Sequence, residues 1–175
     1  MSGRAAETDA RQLCVYEEMG SIVAKDSGVR VLVVDDDRSI RETLHAVLQE
    51  EGYHVLEAED GKAALDILRA SAEPLVVLLD LRMPVLDGAG LLSIVAEDRH
   101  LATFHSFLLI TANLDQITGK TARLLHQLHV PVIPKPFELD ALIESVMQAA
   151  YRKMSSAPDA WSDTSPHQAA RGTNQ

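Results

Sequence analysis

The chain is 175 residues long, 46% hydrophobic but only 4% aromatic, with a formal net charge of −10 and one cysteine, Cys14. The length suits one domain with some tail, the apolar share excludes global disorder, and the shortage of rings demands an aliphatic core. The negative charge argues against a nucleic-acid backbone as a direct partner, a single cysteine excludes an internal disulfide, and no apolar run approaches the length of a membrane span.

The first ten residues are polar and lack the apolar stretch of a signal peptide, so the expected location is the cytoplasm. Residues 1–28 form an N-terminal extension. Leu13, Tyr16, Met19 and Val23 make a weak helical stripe in it. Two readings stay open there: an extra amphipathic helix, or a frayed extension. Residues 29–34 are an apolar run that predicts a first strand. Asp37 or Ser39 can then cap a helix marked by Ile40, Leu44, Val47 and Leu48, which Gly52 stops. Residues 53–58 alternate like a short strand, and residues 62–70 predict a second helix with Ala64, Leu65 and Leu68 inward. A central strand spans 75–80. Asp87-Gly88 turns the chain into a third helix with its core at 91–96. Residues 107–111 predict a fourth strand and residues 118–128 a fourth helix, marked by Leu124, Leu125 and Leu128. A short fifth strand at 130–133 runs into Pro134-Lys135-Pro136. Residues 138–152 form the last helix, with Leu139, Leu142, Ile143 and Val146 as its stripe.

Strand and helix alternate five times with short connections. That pattern implies an α/β fold: a five-stranded, parallel, doubly wound sheet with right-handed crossovers and helices on both faces. Residues 29–152 make this domain. Residues 153–175 have no period and a Ser, Pro, Asp, Gln and Gly bias, which reads as a disordered tail with Trp161 its only large apolar residue.

The strand ends carry the chemistry. The first strand runs into Asp35, Asp36 and Asp37, the third ends in Asp80, the fourth in Thr111, and the fifth precedes Lys135. In a parallel sheet these ends share one edge, where α/β folds bind ligands. Taken singly, each residue is ordinary: an aspartate at a strand end is often a cap, and a lone lysine is usually solvated. Together they suggest more. Carboxylates gathered at one place repel unless a cation sits among them. An all-oxygen set with few members suits Mg²⁺, which keeps waters and takes one or two carboxylates plus phosphate oxygens. Asp80 would then be a nucleophile that forms an aspartyl phosphate. The Lys135 ammonium and the Thr111 hydroxyl would stabilise charge on the transferring phosphoryl group.

These motifs resemble the receiver domain of two-component response regulators, in a single-domain, chemotaxis-regulator-like form. Val33-Val34-Asp35-Asp36-Asp37 is similar to that family's acidic pair after the first strand. Leu79-Asp80-Leu81-Arg82-Met83-Pro84 with Asp87-Gly88 is similar to its phosphoacceptor motif and loop. Ile110-Thr111-Ala112 resembles its Thr/Ser-Ala, and Pro134-Lys135-Pro136-Phe137 its Lys-Pro-Phe. The resemblance covers about residues 29–150 and implies a flavodoxin-like fold. It further implies Asp80 as phosphoacceptor, and Mg²⁺ held by Asp35, Asp36, Asp80 and the Arg82 main-chain carbonyl. Thr111 would bond the phosphoryl oxygen, Lys135 would pair with it, and the Lys135-Pro136 peptide would be cis. Arg82 and Asn113 stand where the family tunes phosphoryl lifetime. One departure stands out: Val132 occupies the position, three before the lysine, where the family carries an aromatic that reports the switch.

The resemblance implies a regulator and not a conventional enzyme: self-phosphorylation and slow self-dephosphorylation only. Its partners would be a sensor histidine kinase or phosphotransfer protein and an output protein, with no direct contact to nucleic acid or membrane. Nothing after residue 150 is long enough for an output domain, so the expected effect is through protein binding or a phosphorelay. A pseudo-receiver acting as a constitutive interaction module is the alternative, and the intact Asp/Asp/Thr/Lys set speaks against it. An Asp-nucleophile phosphatase is the rival enzyme class, but it would need a carboxylate where Arg82 stands. Gly119-Lys120-Thr121 is not a P-loop, because the glycine expected five residues earlier is Leu114. His126 and His129 read as surface histidines.

Overall fold

Residues 31–34 and 75–79 are apolar at every position, and such strands are stable only where both sheet faces are covered. In the computed structural model, which describes residues 28–112 and 114–156, they lie side by side in the middle of one sheet. The strands are β1 (Arg30–Val34), β2 (His54–Ala58), β3 (Leu75–Asp80), β4 (Ser106–Thr111) and β5 (Val132–Pro134). They are ordered β2-β1-β3-β4-β5, all parallel. The helices are α1 (Arg38–Glu50), α2 (Gly61–Ala70), α3 (Gly88–Glu97), α4 (Arg99–Phe104), α5 (Gly119–Gln127) and α6 (Leu139–Ser156). Residues 1–27, Asn113 and residues 157–175 lie outside the description, so the stripe at Leu13 to Val23 and the Trp161 tail do too.

Side chains alternate across a strand, so each run serves two cores. Leu32, Val34, Val77 and Leu79 face Ala64, Leu65 and Leu68 of α2 and Leu91, Leu92 and Val95 of α3. Val31, Val33, Val76 and Leu78 face Leu44 and Leu48 of α1 and Leu142 and Val146 of α6. Truncating a fully buried leucine here, such as Leu79→Ala, costs about 2–5 kcal/mol. The core is aliphatic apart from Phe107 on one side and Tyr53 on the other, in keeping with the composition.

Helix starts are set by aspartates. Asp37 accepts from the Ser39 amide at 2.8 Å, Asp60 from Ala63 at 2.8 Å, and Asp87 from Gly90 at 2.7 Å. Asp37, one of two capping candidates in the sequence, is therefore the cap of α1. That helix stops at Gly52, whose φ of 87° favours glycine.

Three features differ from the sequence reading by more than one residue at an element's end. A second helix, α4, follows α3, so the alternation is not strict. Asp98 breaks the two apart, with extended φ/ψ and its carboxylate accepting from the His100 and Leu101 amides. Strand β5 begins at Val132, not at residue 130, because the chain first completes a turn at His129, which has φ 53°. Helix α6 continues through Ser156, beyond the expected tail boundary at 153. Among the described residues no helix is long and apolar enough to cross a membrane.

Candidate functional site

The sheet register alone assembles the strand ends. Val34 pairs with Leu79, which puts Asp35 level with Asp80. Asp80 pairs with Ile110, and Thr111 pairs with Pro134, so Thr111 and Lys135 extend the same edge. The Lys135 amide donates to the Thr111 carbonyl at 2.7 Å, which carries the ladder one residue past β5.

Lys135 bridges the two aspartates. Its Nζ donates to Asp35 Oδ2 at 2.7 Å and to Asp80 Oδ1 at 2.8 Å. The side chains are 18%, 6% and 12% exposed respectively, so these are ion pairs largely screened from water. Burial works against the ammonium, but hydrogen bonds to Asp35 and Asp80 outweigh it and hold the Lys135 pKa above the ordinary lysine range. The remaining carboxylate oxygens are also engaged. Asp35 Oδ1 accepts from the Asp37 amide at 2.9 Å, and Asp80 Oδ2 from the Arg82 amide at 2.6 Å. These bonds fix how each carboxylate points.

Gly88 is what lets the loop after Asp80 close. A Cβ there would come within 2.3 Å of the Asp80 carbonyl oxygen and 3.0 Å of Leu81 Cα. The glycine amide instead donates to the Leu81 carbonyl at 3.0 Å. The same loop holds Val85 at φ 66° and 80% exposed, the centre of a tight turn closed by the Leu86 amide on the Pro84 carbonyl. The Lys135-Pro136 peptide is cis, as the resemblance implied.

The other sequence candidates fall around this centre. Thr111 is buried, while Asp36 is exposed at the rim. The Arg82 guanidinium reaches outward to Gln116 Oε1 at 3.1 Å. That bond spans a cleft of about 640 Å³ bordered by Asp36, Arg82, Pro84, Asp87 and Gln116. Val132 is half-buried and pairs with Leu109. His126 and His129 are on the surface. Gln116 was not singled out from sequence, and nothing in its spacing marks it: it is placed by a short 3₁₀ turn, Leu114–Gln116.

Among the described residues, no group of three or more His, Cys, Asp or Glu side chains is placed to hold a metal ion by itself. The donors at hand are carboxylates and main-chain carbonyls, all oxygen. Asp36 faces solvent, and Asp35 and Asp80 each turn one oxygen to Lys135. That set does not fit a metal wanting four protein ligands. It fits Mg²⁺, which keeps several waters and asks for only one or two carboxylates.

Comparison with known proteins shows the family and the fold. The family model of the response regulator receiver domain matches residues 31–147. A protein named response regulator MprA from Mycolicibacterium vanbaalenii is 40% identical over 125 residues, which cover 71% of this chain and 51% of that protein. Its namesake from Mycobacterium avium is 38% identical over 132 residues, 75% of this chain and 55% of that one. The chain thus spans about half the length of these relatives. Among solved structures, the receiver domain of the Francisella response regulator 1452 is similar with a TM-score of 0.61 and 31% identity, over 71% of this chain and 98% of that one. The Thermotoga maritima response regulator TrrA in complex with Mg²⁺-BeF has a TM-score of 0.58 and 29% identity, over 69% and 98%.

Proposed function

The chain belongs to the response regulator receiver family of two-component systems, and from that premise we propose that it takes up a phosphoryl group on Asp80 with the help of Mg²⁺. The observation that supports this best is the Lys135 ammonium between Asp35 and Asp80. Two carboxylates from different strands are pinned by one cation, and the residues next to them in the chain, Asp36 and Leu81–Arg82, line an open cleft. This is an arrangement suited to phosphoryl transfer, where catalysis is mostly positioning and charge stabilisation.

In this reading one Asp80 oxygen forms the new bond to phosphorus as the bond to the donor's leaving group breaks. Asp35, Asp36, Asp80 and the Arg82 carbonyl would hold the metal. Mg²⁺, when bound, supplies a positive charge to the phosphoryl oxygens. Lys135 is already within hydrogen-bond reach of Asp80 and needs only to turn from the carboxylate to the incoming phosphoryl oxygen. Thr111, one residue beyond the Asp80–Ile110 pair, would bond another of these oxygens. The donor would be a sensor histidine kinase or a phosphotransfer protein, reached through the cleft. The output would be a contact with another protein in the cytoplasm, without direct nucleic-acid binding. Because Val132 stands where the family carries an aromatic, we assign the coupling to the main chain. The Lys135 amide and the Thr111 carbonyl are bonded, so a shift at either moves both.

The test is incubation with acetyl phosphate and Mg²⁺, read by intact mass. Wild type should gain one phosphoryl group, and Asp80→Asn should gain none while keeping its fold by circular dichroism. Equal uptake in both proteins would remove Asp80 from the role. No uptake in either would favour a constitutive binding module.

A further inference from the structure

The acidic loop is braced from behind by a residue that the proposed chemistry does not use. Arg41 sits one turn into α1, only 12% exposed. Its Nη1 donates to two consecutive main-chain carbonyls, Asp35 at 2.8 Å and Asp36 at 3.2 Å. Its Nε lies 3.5 Å from Glu57 Oε2, on the edge strand β2. The other Glu57 oxygen is 2.6 Å from His45 Nδ1, one helical turn further along α1. A guanidinium is thus inserted under the acidic pair and is itself held from two elements.

Near a cation site, such a group has two opposed effects. As a charge it repels an incoming metal. As a clamp it fixes the backbone from which the carboxylates project. The geometry favours the clamp, because both bonds go to carbonyls and neither to a carboxylate. Arginine's planar fork suits this double acceptor, and a lysine point charge does not. Asp35 is also held from the front, by Lys135 and the Asp37 amide. For the exposed Asp36, the peptide unit it shares with Asp37 is held twice, by Arg41 on the carbonyl side and by Asp35 Oδ1 on the amide side.

We infer that Arg41 is a positioning residue for the acidic pair: it holds the Asp35–Asp36 main chain so that the exposed Asp36 stays at the rim of the cleft that Arg82 and Asp87 also line, and Glu57 with His45 holds Arg41 in place. This rests on the reading that Asp35 and Asp36 bind Mg²⁺.

The two effects predict opposite signs, which makes the test sharp. The full chain is labelled with ¹⁵N and titrated with Mg²⁺, following the amides of residues 35–37. Arg41→Met should weaken Mg²⁺ binding about tenfold even though it removes a positive charge, the loss usual for a residue that orients metal ligands. In the metal-free protein it should already move the Asp36 and Asp37 amides. Arg41→Lys restores the charge but not the fork, and should not rescue. Glu57→Gln should give a smaller loss in the same direction. If Arg41→Met is unfolded, Arg41→Gln is read in its place. Unchanged or tighter Mg²⁺ binding without Arg41 overturns the inference, as does full rescue by lysine. Asp36→Asn separates the two claims: if it binds Mg²⁺ like wild type, the metal reading itself is wrong. If wild type ignores Mg²⁺, the metal-free amide shifts decide the clamp alone, and unmoved signals overturn it.

Discussion

Replacing Lys135 with methionine isolates the central electrostatic contact. Methionine keeps much of the side-chain stem and removes the ammonium. Two oxygens that each lie within 2.8 Å of one nitrogen are no more than about 5.6 Å apart. Two unit charges at that separation repel by about 3 kcal/mol at an effective dielectric of about 20. The loss of two charge-assisted hydrogen bonds adds to this. Relief of the buried ammonium's own desolvation, and water entering beside the carboxylates, subtract from it. A net destabilisation of about 2–3 kcal/mol results, below the range for fully buried pairs because the lysine keeps some exposure. The assay is urea unfolding followed by circular dichroism, in chelator and in excess Mg²⁺. In chelator the variant should fall short of wild type by that amount. In Mg²⁺ the gap should narrow by about 1 kcal/mol or more, since a cation that binds the folded state more tightly in the variant stabilises it more. A variant as stable as wild type in chelator would mean that Lys135 does not neutralise these carboxylates. A gap untouched by Mg²⁺ would mean that the metal does not share them.

Three further perturbations probe the scaffold. His105 is buried, accepts from the Leu75 amide through Nδ1 and lies 3.2 Å from the Leu68 carbonyl through Nε2; burial lowers its pKa from 6.5 to about 4, with Lys153 and His100 adding to the effect. The unfolded chain therefore takes up the proton first, so stability is full above about pH 6.5 and falls by about 3 kcal/mol as pH drops towards 4, a slope that His105→Asn should flatten in pH-dependent urea unfolding. Gly88→Ala puts a methyl group 2.3 Å from the Asp80 carbonyl oxygen, and should cost about 1–3 kcal/mol and slow phosphoryl uptake; unaltered melting and uptake would contradict the close approach. Val85→Asn relieves a β-branched residue at φ 66° that buries almost nothing, and should raise stability by about 1 kcal/mol, which calorimetry would show as a melting temperature higher by about 2–4 °C.

The sheet was legible because its signal is periodic and strong. Apolar runs at 31–34 and 75–79 leave no other stable placement, and the strand ends followed from them. The short helix α4 was not legible, since Arg99–Phe104 spans fewer than two turns and carries no stripe of its own. Its start lies in Asp98, one aspartate among many in an acidic chain. His105 was missed for a related reason: a histidine between a helix and a strand gives no sign of burial until the Leu75 amide and Leu68 carbonyl are seen to need a partner. Arg41 and Gln116 were invisible for another. Their bonds cross from helix to loop and from loop to loop, where spacing carries no information.

The aspartates show most clearly where sequence stops and register begins. Asp37, Asp60, Asp87 and Asp98 each accept amide hydrogen bonds at the start of a helix. Asp35 and Asp80 instead meet at Lys135, from the ends of neighbouring strands. Nothing intrinsic to the residue separates the two groups, since a carboxylate favours a helix N-terminus as readily as a cation. What separates them is distance along the chain from a buried strand. Asp35 follows β1 directly and inherits its depth, being 4% exposed, whereas Asp37, two residues later, has reached the surface and starts α1. Asp36 lies between the two. It is the residue whose direction the sheet does not fix, which is why a clamp on its carbonyl has work to do there.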